Sequence, residues 1–266
     1  MKTILCPIDF TPKSERLIKY VSSLAKDRNC KIYLISTQPV HKKELVVAGV
    51  NKERSRLDEI QDYLTETQGI PCGIVDEPIT GNLSKKLGNV ADHYDIMSIM
   101  IDVSPSNEKP SDMNLKKMIQ DALAPMMVIP DRFTYQPIKR LLYAYDHQHE
   151  EEPPLMELKW LSEWFDAELV FVTLLPGDTS IKEENKLDSI RMAIKNSWHG
   201  SNPIYFETIV YPNLPRGFEN FLGLSNLNDL LVLSINHQNI MERIWQKRVV
   251  KGVFQYSQHP YLIIHA

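Results

Sequence analysis

The chain has 266 residues, 43% of them hydrophobic and 24% charged, with a formal net charge of −4 and a pI near 6.1. That composition suits a globular protein of one large or two ordinary domains, and it lacks the basic field of a dedicated nucleic-acid binder or of a protein drawn to anionic membrane. Small molecules and other proteins are left as partners. Three cysteines, Cys6, Cys30 and Cys72, lie unevenly in the first half, a usage that fits a reducing compartment better than a disulfide framework. The opening MKTILCPIDF has too short an apolar run for a signal peptide, and no segment approaches the ~20 apolar residues of a membrane span, so a cytoplasmic location is expected.

Apolar runs of strand length alternate with helical stretches, the pattern of a parallel sheet covered by helices. Lys2 to Asp9 is a buried strand ending in a carboxylate. Thr11 and Pro12 supply an N-cap and an N1 proline, and Leu17, Ile18, Val21, Leu24 and Ala25 share one face of the helix they open. Lys31 to Ser36 is a second strand. The charged run from about Lys42 to Thr67 is helical, with Leu57, Ile60, Tyr63 and Leu64 turned to a core. GIVDEPI follows as a third strand, Leu83 to Tyr94 as a short helix, DIMSIMI as a fourth strand, MNLKKMIQDALA as a fourth helix and PMMVIP as a last short strand.

The same order then begins again. Ile138 to Asp146 answers the first strand, Ala167 to Pro176 the second, Asn228 to Asn236 the fourth and His259 to Ala266 the last. Matching the aspartates gives 146 − 9 = 137, and matching the late prolines gives 260 − 125 = 135. The steady offset divides the chain into domains over 1–133 and 137–266, joined by RFTYQP, whose Pro137 and aromatic residues suit an ordered linker.

A unit of this order that opens with CPIDFT (Cys6 to Thr11) and closes with APMMVIP (Ala124 to Pro130) resembles the universal stress protein family, and the resemblance covers both halves. The second copy is weaker, because YAYDHQ lacks the proline and the hydroxyl residue while keeping Asp146. The resemblance implies two tandem doubly wound α/β domains, each a five-stranded mainly parallel sheet flanked by helices. It also implies that the halves pair about a pseudo-two-fold axis through their last strands, an internal pseudo-dimer that leaves a further homodimer open. In the family's nucleotide-binding branch, glycines after the fourth strand wrap the triphosphate. Aligned on Asp95 and Pro125, those positions hold Met100, Val103, Asp112 and Met113, and in the second half Ser234, His237, Lys247 and Arg248. None is glycine. Phosphate cradles need glycine because backbone N–H groups must crowd an anion where a Cβ would obstruct them. ATP is therefore expected to bind the first half poorly or not at all, and no cofactor is expected.

Asp9 and Asp146 end the first strand of each half, near the crevice where open α/β sheets take ligands. As the family's aspartate does, they would touch a purine or ribose; without one, each accepts backbone N–H bonds at the start of a helix, and the lost glycines favour the latter. Ser234, His237, Lys247 and Arg248 form a vestigial nucleotide or anion site in which the two cations act as point charges, with ordinary surface charge as the default reading. His147 and His149 lie in an acidic loop that defines no metal geometry. No nucleophile and base pairing is legible, so no catalytic residue is assigned. The function expected is a cytoplasmic stress-response protein of the class that does not bind ATP, acting through protein contacts or a small ligand. The competing class is an ATP-binding or slowly ATP-hydrolysing member with unconventional phosphate contacts; a scaffold without ligand is a third, which sequence does not separate from the first.

Overall fold

The computed structural model describes residues 1–37, 48–76, 83–103, 124–130, 133–145, 152–177, 180–212, 214–224, 226–235 and 259–265. The chain divides into two compact units, Met1–Tyr135 and Gln136–Ile264. Both are α/β.

In the first unit, β1 (Lys2–Ile8) leads into α1 (Pro12–Arg28), then β2 (Cys30–Ser36), α2 (Ala48–Asp62), β3 (Cys72–Ile74), α3 (Leu83–His93), β4 (Ser98–Val103) and β5 (Met126–Pro130). The strand order is β3-β2-β1-β4-β5. β1 sits at the centre, so its residues from Ile4 to Ile8 are buried, as a strand covered on both faces requires. Of the expected face of α1, Leu17, Val21, Leu24 and Ala25 are buried, Ile18 is only half-buried, and Tyr20 joins the buried set. Asn29, at φ 51°, stops the helix in the left-handed conformation and sends its N–H back to the Ala25 carbonyl. Beyond β5, the rings of Phe133 and Tyr135 pack on Tyr20 at 6.2 and 5.3 Å, and the Tyr135 hydroxyl donates to Asp27.

Three details depart from the sequence reading. α2 closes on a wider π-type turn, Tyr63–Thr67, before Gly69 reverses the chain at φ 67°. Leu57 and Leu64 stay in the core, but Tyr63 is swung outward to 51% exposure, its hydroxyl accepting from Gln68 Nε2 at 2.9 Å. β3 is shorter than GIVDEPI, stopping at Ile74. The fourth strand starts later than Asp95, which occupies a left-handed turn at φ 50°, and extends beyond Ile101 to Val103. The helix expected over MNLKKMIQDALA lies outside the described residues.

The second unit contains β6 (Arg140–Ala144), α4 (Leu155–Phe165), β7 (Glu168–Leu175), α5 (Ile181–Ser197), β8 (Ile204–Val210), α6 (Leu214–Leu224), β9 (Asp229–Ile235) and β10 (Tyr261–His265). Its order is β10-β9-β6-β7-β8. In the two units the described pairings of β1 with β2 and β4, β2 with β3, β4 with β5, β6 with β7 and β9, and β7 with β8 are parallel. Ser180 and Glu183 form a capping box that starts α5, each satisfying the other's backbone N–H. Buried Ser162 on α4 donates to the Ala167 carbonyl at 2.7 Å, while its own carbonyl accepts from Asn202 Nδ2 at 2.8 Å, which ties the helix to the turn before β8.

Candidate functional site

Among the described residues, the carboxyl end of β1 carries a dense polar arrangement at a place where this kind of sheet takes ligands. Asp9 follows β1 directly, and Phe10 then adopts φ 59°, a left-handed conformation uncommon for a bulky residue. The turn is held by the Asp9 carboxylate. Its Oδ1 accepts the Thr11 backbone N–H at 3.0 Å, the Thr11 hydroxyl at 2.7 Å and the Ser14 hydroxyl, and the Asp9 N–H donates to Ser14 Oγ at 3.0 Å. Thr11 has the backbone angles of an N-cap, yet its side chain accepts no helix N–H, and its hydroxyl turns to donate to Asp9. From α2, Arg56 donates to the Phe10 carbonyl at 3.3 Å and lays its guanidinium 4.2 Å from the Phe10 ring centroid. Thr37 donates both its N–H, at 2.8 Å, and its hydroxyl, at 3.2 Å, to the Ile8 carbonyl at the end of the same strand.

Burial alone would raise the Asp9 carboxyl, but the hydrogen bonds from Ser14 and Thr11 outweigh it and hold its pKa below the ordinary aspartate value. A depressed folded-state pKa contributes stability that is present above the unfolded value, near 3.9, and is lost as pH falls through the folded value. Asp9→Ala is accordingly expected to cost about 1–2 kcal/mol at neutral pH, the range for losing a helix-start acceptor. The gap between variant and wild type, measured by urea unfolding at a series of pH values, should narrow below about pH 4. A gap that stays constant down to pH 2 would count against the carboxylate as the source.

Of the other residues singled out in the sequence, Ser234 is half-buried near the end of β9 in the second unit. Asp146, His237, Lys247, Arg248, His147, His149, Asp112 and Met113 lie outside the described residues. Ser14 could have been found from the D-x-T-x-x-S spacing, which sets two hydroxyls around one carboxylate. Arg56, 46 positions beyond Phe10, leaves no local signal. Among the described residues no group of three His, Cys, Asp or Glu side chains could hold a metal ion, and no helix is long and apolar enough to cross a membrane. Cys6 and Cys30 are buried free thiols, and burial pushes Cys72 up to about 12, which leaves it protonated at neutral pH.

No protein-family model matches the chain, and no curated protein matches it. Solved structures do. A universal stress protein from Archaeoglobus fulgidus DSM 4304 is similar with a TM-score of 0.68 and 11% identity, over 99% of this chain and 96% of that one. The chain has the fold of a universal stress protein. A candidate universal stress protein from Pseudomonas aeruginosa UCBPP-PA14 gives a TM-score of 0.59 at 11% identity, over 100% of this chain and 93% of its own. A functionally unknown protein from Pseudomonas aeruginosa PAO1 gives 0.58 at 11% identity, over 100% and 92%.

The resemblance to universal stress proteins implies that a nucleotide's phosphates would lie at the end of β4. The described residues there do not fit one. Met100 lies inside the strand with its side chain fully buried, opposite Met127 of β5, and Val103 is still in register with Pro130. A regular strand carrying side chains stands where a glycine turn would have to bring backbone N–H groups to an anion.

Proposed function

We propose that this chain is a cytoplasmic stress-response protein of the universal stress type that does not use ATP and acts through protein contacts or a small ligand. The observation that carries the reading is the extension of β4 through Met100 to Val103, with the methionine packed in the core. The Asp9 ring supports it: the carboxylate is already engaged by Thr11 and Ser14, and Arg56 is drawn to Phe10. Ligand binding stabilises a fold by RT ln(1 + [L]/Kd), so millimolar Mg·ATP is expected to leave the melting temperature unchanged. A rise of several degrees would overturn the reading in favour of nucleotide binding.

The tandem organisation is part of the same proposal. The left-handed helix stops at Asn29 and Asp166 are 166 − 29 = 137 positions apart, the offset that separates Asp9 from Asp146. Numbering strands from the start of each unit, both sheets also share one order. In this reading one chain stands in for a dimer of single-domain proteins. Residues 1–133 expressed alone are therefore expected to self-associate in light scattering, and a monodisperse monomer would speak against it.

A further inference from the structure

β8 is the outer strand of the second unit's sheet, and its sequence, IYFETIV, is β-branched and aromatic at six of seven positions, Glu207 excepted. All seven residues are in register with β7, so the strand is paired along its whole inner side. No residue of it is buried, and Tyr205 and Val210 are 47% and 58% exposed. The first unit's outer strand, β3, is by contrast only three residues long.

The backbone of β8 points alternate groups to either side. The Pro203 carbonyl accepts from Leu169 and the Tyr211 N–H donates to Leu175, so the odd-numbered positions bond to β7. In a parallel ladder the intervening residues face the other way. The N–H and C=O groups of Ile204, Phe206, Thr208 and Val210 therefore form the outer edge, where among the described residues no strand pairs with them. Natural edges of this length are normally blunted by a lysine, an internal proline or a bulge. β8 has none of these. Its one charge, Glu207, lies 4.0 Å from Arg140 Nη1 and so faces a partner within the unit. Pro203 and Pro212 bracket the strand and limit pairing to the stretch between them.

We propose that this edge pairs antiparallel with the same edge of a second copy, joining two chains through β8. The strand is complementary to itself. With the two-fold axis at Thr208, Thr208 meets Thr208, each hydroxyl accepting from Arg191 of its own chain, while Phe206 meets Val210 and Glu207 meets Ile209, so apolar faces apolar and no two charged residues of the strand are opposed. The N–H and C=O groups of Phe206, Thr208 and Val210 all find partners, and the symmetric contact uses up the edge, so association closes at two chains. A pairing of this extent buries less than the ~1,200 Å² of a standard interface, which makes the dimer reversible and dependent on concentration.

The test is sedimentation velocity of the full chain over a concentration series, alone and with two separate substitutions. Thr208→Pro removes an N–H that points outward and leaves the β7 ladder intact, whereas Val210→Lys sets a charge on the edge without altering the backbone. Wild type should pass from monomer to dimer as concentration rises, and each folded variant, checked by circular dichroism, should raise Kd roughly tenfold or more. Should Thr208→Pro unfold, Val210→Lys alone decides. A wild type that stays monomeric throughout overturns the proposal, as does a dimer that Val210→Lys leaves unchanged.

Discussion

Replacing Met100 by glycine is expected to cost about 3–5 kcal/mol and to create no nucleotide site. The side chain is fully buried in β4 against a β5 whose Met126, Met127 and Val128 are themselves completely enclosed. Removing it forfeits its transfer free energy and leaves a cavity, and a glycine inside a strand adds backbone entropy to the loss. Restoring a glycine at this position therefore does not restore a phosphate loop, because the backbone around it is committed to a strand that continues to Val103. Urea unfolding gives the stability and a melt in Mg·ATP gives the binding. A variant of near wild-type stability that melts higher with ATP would show that a side chain alone had blocked the site.

The other large effect is expected at the far end of the second unit's sheet. Asp229, at the start of β9, is 1% exposed, and Arg140, directly opposite it in β6, holds it with two hydrogen bonds, Nε to Oδ1 at 2.9 Å and Nη2 to Oδ2 at 2.6 Å. The Asn226 N–H adds a third at 2.8 Å. The bonds to Asp229 raise the Arg140 guanidinium above its ordinary pKa despite partial burial. Arg140→Ala leaves a buried carboxylate with one backbone donor and should cost about 3 kcal/mol, since breaking such a pair from one side strands the other charge. Asp229→Asn should cost less, because Arg140 is 30% exposed and can turn to water. Urea unfolding of both variants checks the order. Equal losses would mean that the pair contributes no more than its packing. Arg140→Lys is expected to fall between wild type and Arg140→Ala, since an ammonium cannot reproduce the two-pronged contact.

The features legible in the sequence are those set by short-range periodicity. The run from Lys2 to Ile8 was legible as a buried strand because it is apolar on both faces from Ile4 on, and the α1 face could be read from the spacing of Leu17, Val21 and Leu24. Thr11 was recognisable at a helix start, but its rotamer was not, because the choice between its own helix and Asp9 depends on a carboxylate two residues back. Tyr63 had the right spacing for the core and was displaced by an extra residue in the final turn of α2, a local widening that a regular period cannot foresee. Arg56 on Phe10 and Arg140 on Asp229 join residues 46 and 89 positions apart, so only the sheet order reveals them. The place of β8 at the end of the strand order is likewise a property of the fold: among the described residues no strand lies beyond it, which the sequence does not reveal.

The claim that this universal stress fold works without ATP is tested most directly by native mass spectrometry of the intact chain carried gently through purification. The account predicts a mass equal to the polypeptide, or to the polypeptide with a ligand that is not a nucleotide. A mass increment matching ATP, ADP or AMP at stoichiometric occupancy would contradict it.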